Sequence, residues 1–265
     1  MSAPTPLPPS TTTFLTPYLP HPTGGHYPFT TLTYATSLDS HLSLHPGTQT
    51  HLSGPLSKSL THHLRTHHAA LLIGVTTALS DDPGLNSRIP STPLSAQPTP
   101  IILDPHFRWC PTATTRVIRT AASGAGKPPY VLVRADAPEH ADKTAVIEGV
   151  GGRVFRLPVP PAGAERWEWD VLLRYVRREC GVESVMIEGG GEVVNALLEA
   201  RNQKLVDSVV VTVAPVYLGR GGVNVSPVGR TGAEGRRVAA ARFKDVAWCV
   251  LGDDVVMAAR PDVGI

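Results

Sequence analysis

The chain has 265 residues, 42% of them hydrophobic, which is enough to bury the core of one large or two small domains. Its formal net charge of +2 favours neither a nucleic-acid-binding surface nor a membrane-binding one. Because it has no apolar run of the roughly 20 residues that a membrane helix needs, and no leader-like N-terminus, we expect a soluble cytoplasmic protein.

The first 27 residues are rich in proline, threonine and serine, a composition typical of an extended or disordered arm. Four apolar side chains of this arm could dock on the body of the protein or on a partner subunit: Phe14, Leu15, Tyr18 and Leu19. We therefore predict an N-terminal arm over 1–27 and a single domain over 28–265.

The first predicted strand covers 29–37, where β-branched and aromatic residues dominate, and Asp39 follows two residues after its end. A carboxylate at a strand end could hold a substrate hydroxyl or relay a proton, but it could also simply form a turn. Leu60 and Leu64 have helical spacing and predict a helix over 57–67.

Histidines cluster around this helix. His63 and His67 have the i, i+4 spacing of a metal-binding helix, with His62 and His68 beside them. A metal site needs further ligands, and no acidic or cysteine ligand stands nearby in the sequence. We therefore predict that these histidines form a polar helix face and that the protein holds no metal.

A short apolar run then predicts a buried strand, after which the chain enters a polar, turn-rich segment over 74–88. Ligands of open α/β sheets bind at the carboxyl ends of strands, so this segment is expected at the rim of a site. Thr77 and Asp81 share a face of a predicted helical turn, where they could bind nucleotide ribose hydroxyls or cap the helix. Asn86 and Arg88 follow at the same rim, and Arg88 could bind a phosphate or be a solvated surface charge.

The remaining elements alternate between strands and helices. Apolar or β-branched runs predict strands over 69–73, 100–104, 130–134, 154–157, 184–187, 206–213, 242–251 and 254–259, and helical patterns cover 169–180 and 192–200. Such alternation predicts an α/β fold with a mainly parallel sheet covered on both faces. The last three strands have no helical pattern between them, which predicts an antiparallel C-terminal end.

Three glycines in a row, Gly189, Gly190 and Gly191, follow Glu188 at the end of a predicted strand. Glycines let backbone N–H groups approach an anion closely, and the next helix adds its positive N-terminal end, so a dinucleotide pyrophosphate would fit. The pattern is not the GxGxxG fingerprint, and a tight strand-to-helix turn is an equally good explanation.

The Gly/Arg-rich segment and the cysteines give two further expectations. We interpret the Gly/Arg-rich segment over 219–237 as a flexible, solvated loop, although a lid or a phosphate contact is an alternative. The three cysteines, Cys110, Cys180 and Cys249, are far apart and form no CxxC pair, so we expect reduced thiols. Of these, Cys180 and Cys249 are expected to be small buried hydrophobic residues.

Seven segments spread in order over nearly the whole chain carry a family resemblance. They are Pro28–Ser40, Leu60–Gly74, Thr76–Arg88, Pro100–Asp104, Gly126–Val133, Ser184–Leu198 and Val206–Gly219. Together they resemble the riboflavin-biosynthesis reductase family, and its stand-alone fungal members more than the bacterial ones. Bacterial members carry a zinc deaminase domain before the reductase, and the H-x-E and P-C-x-x-C signature of that domain is absent here. The resemblance implies a dihydrofolate reductase-like three-layer fold, one reductase domain over 28–265 and a homodimer.

The resemblance also implies a reaction. The ribose ring of a ribosylamino-pyrimidine phosphate opens to an imine, and NADPH, with NADH as a possible substitute, delivers hydride to C1′. The implied cofactor-binding residues are Ala35, Thr77, Asp81, Trp167, Gly189, Gly190, Gly191, Glu192 and Val193. The implied substrate-binding residues are Asp39, Arg65, Leu85, Arg88 and Glu188, to which we add Asn86 from the same rim. Among them Asp39 and Glu188 are expected to be catalytic, and Arg65 or Arg88 to hold the ribose phosphate.

Three positions depart from the bacterial pattern. Thr33 stands where a lysine is frequent, Ser40 where a glycine is frequent and Pro105 where a serine is frequent, so position 105 has no side-chain hydroxyl for the cofactor. Two other interpretations stay open: a reductase of the same fold that acts on a pterin or another pyrimidine, and a nucleotide-binding homologue without turnover.

Overall fold

The computed structural model describes residues 3–161, 166–232 and 234–264. The strands are β1 (Phe29–Thr36), β2 (His41–Ser43), β3 (Ala70–Gly74), β4 (Thr99–Leu103), β5 (Tyr130–Arg134), β6 (Arg153–Leu157), β7 (Ser184–Ile187), β8 (Ser208–Val213), β9 (Val223–Asn224), β10 (Arg230–Thr231), β11 (Arg237–Val238), β12 (Phe243–Leu251) and β13 (Asp254–Pro261). The α-helices are α1 (Pro9–Leu15), α2 (Pro55–Thr66), α3 (Val75–Asp81), α4 (Arg116–Ala122), α5 (Ala141–Glu148), α6 (Trp169–Arg178) and α7 (Gly191–Leu198).

One large sheet organises the molecule. Its strands follow the order β12-β13-β8-β1-β7-β3-β4-β5-β6. All neighbours from β8 to β6 run parallel, whereas β13 is antiparallel to both β8 and β12. The predicted mainly parallel sheet with an antiparallel C-terminal end is confirmed, because a tight turn joins β12 to β13 and leaves no room for a crossover helix.

Alternate side chains of each central strand enter two separate cores. In β3, Leu71 and Ile73 lie in one core, while Ala70 and Leu72 lie in the other. Side chains of α1 to α5 complete the first core, and those of α6 and α7 complete the second. The three-layer arrangement expected from the resemblance is therefore confirmed, and it follows from the two-residue side-chain period of strands.

The N-terminal arm is folded rather than extended. α1 begins with a proline at its first position, which suits a helix start, and a 3-10 turn over Thr16–Tyr18 follows. Leu15 and Tyr18 are buried in the first core, and the Tyr18 hydroxyl donates a hydrogen bond to the Asp245 carbonyl at 2.5 Å. The expectation of an extended or disordered arm is wrong here, because these side chains are buried against the body of their own chain. The division between 1–27 and 28–265 remains a prediction.

Several elements differ from the prediction or were missed. α4, α5 and the short strands β2 and β9 had no pattern strong enough to be recognised. The predicted flexible loop over 219–237 contains β9, which pairs with β2, and a hairpin of β10 and β11.

Cys180 and Cys249 are half-buried rather than buried, and burial raises the pKa of the Cys180 thiol to about 12. No helix in the described part of the chain is long and apolar enough to cross a membrane.

Candidate functional site

Two adjoining clefts lie at the carboxyl ends of the central parallel strands. Each has a volume of about 620 Å³, and both are lined by Gly74, Thr76, Glu192 and Val193. The first cleft extends over the ends of β1 and β7, and the second extends over the end of β4 towards α6. Together they form the kind of crevice in which open parallel sheets bind their ligands.

The structure brings the predicted cofactor residues together in this crevice. The first cleft is lined by Ala35, Thr77, Asp81, Gly189, Gly190, Gly191, Glu192 and Val193. Trp167 lines the second cleft instead, where its indole N–H donates to the Pro158 carbonyl at 2.7 Å. Residues that lie more than 150 positions apart in the sequence therefore share one groove.

The three glycines differ in whether the structure leaves room for a side chain. A Cβ on residue 189 would overlap the Val193 side chain, and a Cβ on residue 191 would overlap Val223 Cγ1. At Gly190 a Cβ would meet only Thr77 Oγ1, at 3.4 Å, which is an ordinary contact distance. Packing therefore accounts for Gly189 and Gly191, while the space beside Gly190 opens into the first cleft.

Glu188 reaches the first cleft with its carboxylate already held by a cation. Arg65, on α2, donates from Nε to Glu188 Oε1 at 2.8 Å and from its terminal nitrogen to Oε2 at 2.6 Å. A third donor of Arg65 bonds the Asn86 carbonyl at 2.9 Å. All three nitrogens of the Arg65 guanidinium therefore donate hydrogen bonds within the protein. Arg65 orients Glu188 and the backbone carbonyl of Asn86, and it has no free pair of N–H groups for a bidentate contact with a phosphate.

A cationic cluster lies beside this pair. Arg88 donates from Nε to Nε2 of His62 at 3.0 Å, and burial together with the Arg65 and Arg88 charges lowers the pKa of His62 to about 3, so its ring is neutral. Burial, followed by the charges of Arg65 and Arg116, lowers the pKa of Arg88. Arg116 makes no side-chain hydrogen bond or ion pair within the described residues. Neighbouring positive charges repel one another, and a bound anion would relieve this repulsion, so the cluster favours anion binding.

Of the predicted substrate residues, Glu188 lines the first cleft, whereas neither cleft is lined by Asp39, Arg65, Leu85, Asn86 or Arg88. Leu85 is a core residue with only 2% of its surface exposed, so its side chain faces neither cleft. Asn86 uses its amide nitrogen to bond the Ala125 carbonyl at 2.9 Å and its own carbonyl to bond Arg65. Both residues shape the rim that carries Arg88.

Asp39 is placed as a hydrogen-bond acceptor. The Ser37 hydroxyl donates to its Oδ1, and the backbone N–H groups of Leu218 and Gly219 donate to its two oxygens at 3.1 and 2.8 Å. These bonds, led by that of Ser37, hold the pKa of Asp39 well below its usual range. The Asp39 carboxylate thus accepts three hydrogen bonds, and its part in a proton relay stays a prediction.

Sequence reasoning missed part of the groove. The first cleft is also lined by residues 46–53, by Lys58 and Thr61 of α2, and by Tyr34, whose pKa burial raises to about 12. Lys58 and Thr61 lie seven and four residues before Arg65, so the helical period of the predicted helix could have identified them. The second cleft adds Arg108, which no motif had marked.

The histidines show no metal geometry. The rings of His63 and His67 pack edge to face with centroids 4.6 Å apart. Among the described residues no group of three histidine, cysteine or acidic side chains is arranged to hold a metal ion.

A family model described as RibD C-terminal domain matches residues 28–257. The chain belongs to the RibD C-terminal domain family. The matched range contains every strand of the large sheet except the last residues of β13, and all the cleft residues described above. Family membership thus covers both the fold and the groove.

Fungal members of the RibD C-terminal domain family are similar over most of their length. A 2,5-diamino-6-ribosylamino-4(3H)-pyrimidinone 5′-phosphate reductase of Debaryomyces hansenii is 35% identical over 256 residues, 96% of this chain and 98% of the relative. The protein of the same description from Eremothecium gossypii is 40% identical over 223 residues, 80% of this chain and 85% of the relative.

Solved structures agree with the fold of the RibD C-terminal domain family. The riboflavin biosynthesis reductase of Saccharomyces cerevisiae matches with a TM-score of 0.76 and 30% identity over 96% of this chain and all of that one. A deaminase/reductase from Thermotoga maritima has a TM-score of 0.65 at 20% identity, over 94% of this chain and 60% of its own, and shows the shared fold.

Proposed function

We propose that this protein is an NADPH-dependent reductase of riboflavin biosynthesis. Its substrate is 2,5-diamino-6-ribosylamino-4(3H)-pyrimidinone 5′-phosphate, whose ribosylamino group becomes a ribitylamino chain. The single observation that carries the proposal is the groove, which leads from Trp167 past the three glycines to Glu188, whose carboxylate Arg65 holds. A dinucleotide and a sugar phosphate can lie end to end along such a groove.

The residues present fit a dinucleotide. Gly190 leaves space at the start of α7, whose N-terminal end attracts a pyrophosphate, and Thr77 and Asp81 offer hydroxyl and carboxylate partners for the cofactor in the first cleft. When bound, the nicotinamide supplies the hydride. Arg108 in the second cleft favours the additional phosphate that distinguishes NADPH from NADH.

The sugar phosphate is assigned to the cationic cluster. Arg88 and Arg116 hold the phosphate dianion, because Arg65 is already engaged by Glu188 and the Asn86 carbonyl. Glu188, fixed by Arg65, accepts hydrogen bonds from ribose hydroxyls in the adjoining first cleft. In this proposal the two arginines bind the phosphate, and the Glu188 carboxylate lies beside C1′, the carbon that is reduced.

We further infer that the enzyme is a cytoplasmic homodimer. β12 is an edge strand of the large sheet, and three of its alternate side chains are exposed and apolar: Val246 by 43%, Trp248 by 61% and Val250 by 75%. An apolar stripe of this kind on an edge strand is covered in stable proteins, and a second copy of the chain is the proposed cover.

Turnover on three substrates tests the proposal. The protein is incubated with NADPH and either the 2-amino ribosylamino-pyrimidinone phosphate, its deaminated counterpart or a dihydropterin, and the loss of nicotinamide absorbance is followed. We expect oxidation with the ribosylamino substrates, fastest with the 2-amino form. Turnover of the dihydropterin alone would favour the second enzymatic interpretation, and cofactor binding without any turnover would favour a non-catalytic homologue.

A further inference from the structure

Residues 218–226 form a segment, here named the flap, that lies against the first cleft and is fastened at both ends. Its β9 strand pairs with β2, and the Val225 N–H donates to the Ser40 carbonyl at 2.8 Å. Val223 of the flap lines the first cleft, and its side chain packs so close to Gly191 that a Cβ there would overlap it. The flap therefore covers the start of α7.

The first fastening point is Asp39. Its two carboxylate oxygens accept the N–H groups of Leu218 and Gly219, at 3.1 and 2.8 Å, where the flap leaves the body of the protein. The chain then turns sharply through Gly219 and Gly221, whose φ angles of +82° and +99° disfavour any other residue. Because the acceptor is ionised, these hydrogen bonds are of the stronger, charge-assisted kind.

The second fastening point is Asn195 of α7. Its amide nitrogen donates to the Asn224 carbonyl at 2.9 Å, and its amide oxygen accepts the Ser226 N–H at 2.7 Å. The side chain thus bonds the flap as a neighbouring strand would, using both of its polar atoms. It ties the flap to the same helix whose N-terminal end faces the proposed pyrophosphate position.

We propose that Asp39 and Asn195 are positioning residues that hold the flap over the cofactor. The inference rests on the proposed function, since it needs a nicotinamide dinucleotide in the first cleft. A cover at this place excludes water from an imine that water would otherwise hydrolyse, and Val223 adds an apolar contact to the cofactor.

The experiment compares the wild-type protein with Asn195→Asp, Asn195→Ala and Asp39→Asn. Asn195→Asp keeps the acceptor for Ser226 but sets a carboxylate oxygen against the Asn224 carbonyl. Asn202→Ala is the matched control, because the Asn202 amide bonds the Ala196 carbonyl of the same helix at 2.8 Å and does not touch the flap. Three quantities are measured: the NADPH dissociation constant by fluorescence, the rate of tryptic cleavage after Arg220, and hydride transfer in a single turnover with saturating ligands.

We expect each flap variant to weaken NADPH binding by about tenfold and to speed cleavage after Arg220, with NADPH slowing cleavage in the wild type. Hydride transfer at saturation should stay within about threefold of the wild type, and Asn202→Ala should leave all three quantities unchanged. Unaltered NADPH binding and cleavage in the flap variants would overturn the inference alone. A hundredfold slower hydride transfer in Asp39→Asn, with NADPH binding intact, would instead make Asp39 a catalytic residue. Failure of the wild type to bind NADPH would contradict the proposed function itself.

Discussion

The three adjacent glycines differ in whether a Cβ would fit, and at Gly190 it would fit. Its φ of −66° is open to any residue, and a Cβ would meet Thr77 Oγ1 at an ordinary distance. By contrast, Gly189 and Gly191 have no room for a Cβ. Three adjacent glycines that look equivalent in the sequence therefore differ in what they do.

The first prediction follows from this difference. Gly190→Ala should fold with a melting temperature close to the wild type but bind NADPH about tenfold more weakly, because the methyl group occupies cleft space. Gly191→Ala should lose about 1–3 kcal/mol of unfolding free energy, because Val223 must move. Calorimetry and a cofactor titration measure both. Equal effects of the two variants on stability would show that Gly190 is structural as well.

The arginines near Glu188 differ in their contacts, since Arg65 donates to the Glu188 carboxylate and Arg88 donates to the His62 ring. Arg88→Ala and Arg116→Ala should raise the KM for the phosphorylated substrate by about 10–100-fold, the loss expected for a charge-assisted hydrogen bond, with the NADPH dissociation constant unchanged. Against a dephosphorylated substrate the same variants should behave as the wild type. Arg119→Ala, an exposed arginine of the same helix α4, is the control. If Arg65→Ala alone lost the preference for the phosphate, the assignment would be wrong.

At the scale of elements, α2 and the second residue after its end carry two buried histidines, His62 and His68. Burial lowers the pKa of His62 to about 3 and that of His68 to about 4, and His68 Nδ1 and Nε2 are hydrogen-bonded to the Leu64 carbonyl and the Thr31 hydroxyl, each at 2.7 Å. These rings are neutral when folded and take up a proton on unfolding below their ordinary pKa of 6.5.

The sign of the pH dependence follows. A lower pKa in the folded state means that stability is complete above about pH 6.5 and is lost as pH falls towards 4. Each such histidine contributes a slope of up to about 1.4 kcal/mol per pH unit. Urea unfolding between pH 5 and 6.5 should therefore show a smaller slope for His68→Gln than for the wild type. Identical slopes would mean that His68 is charged in the folded protein.

Some elements could be predicted from the sequence, and others could not. Strands such as β3 and β7 were recognised because they are continuous apolar runs between turn residues, and their order gave the sheet. α1 was missed because its threonine-rich sequence becomes helical through the burial of Leu15, which is a tertiary effect. The Asp39 fastening of the flap joins residues about 180 positions apart, so no local pattern could reveal it.

At the scale of the whole molecule, the exposed apolar side chains of β12 form the proposed dimer interface. Trp248→Glu should convert a dimer into a monomer, because a carboxylate at this exposed tryptophan position cannot be buried in an apolar interface without a large cost. Val171→Glu, on the outer face of α6, places the same charge on another exposed apolar residue and should leave the mass unchanged. Light scattering after size exclusion measures both, and a dimeric Trp248→Glu protein would remove the stripe from the interface.

For the molecule as a whole, we propose that one groove aligns a nicotinamide with C1′ of the opened ribose. Labelled NADPH tests it most directly: the protein is given cofactor with deuterium at either face of the nicotinamide C4, together with the ribosylamino-pyrimidinone phosphate, and the product is analysed by mass spectrometry and NMR. We expect that deuterium from one of the two labelled cofactors appears at the ribityl C1′. Deuterium on the pyrimidine ring, or a product without label from either cofactor, would contradict it.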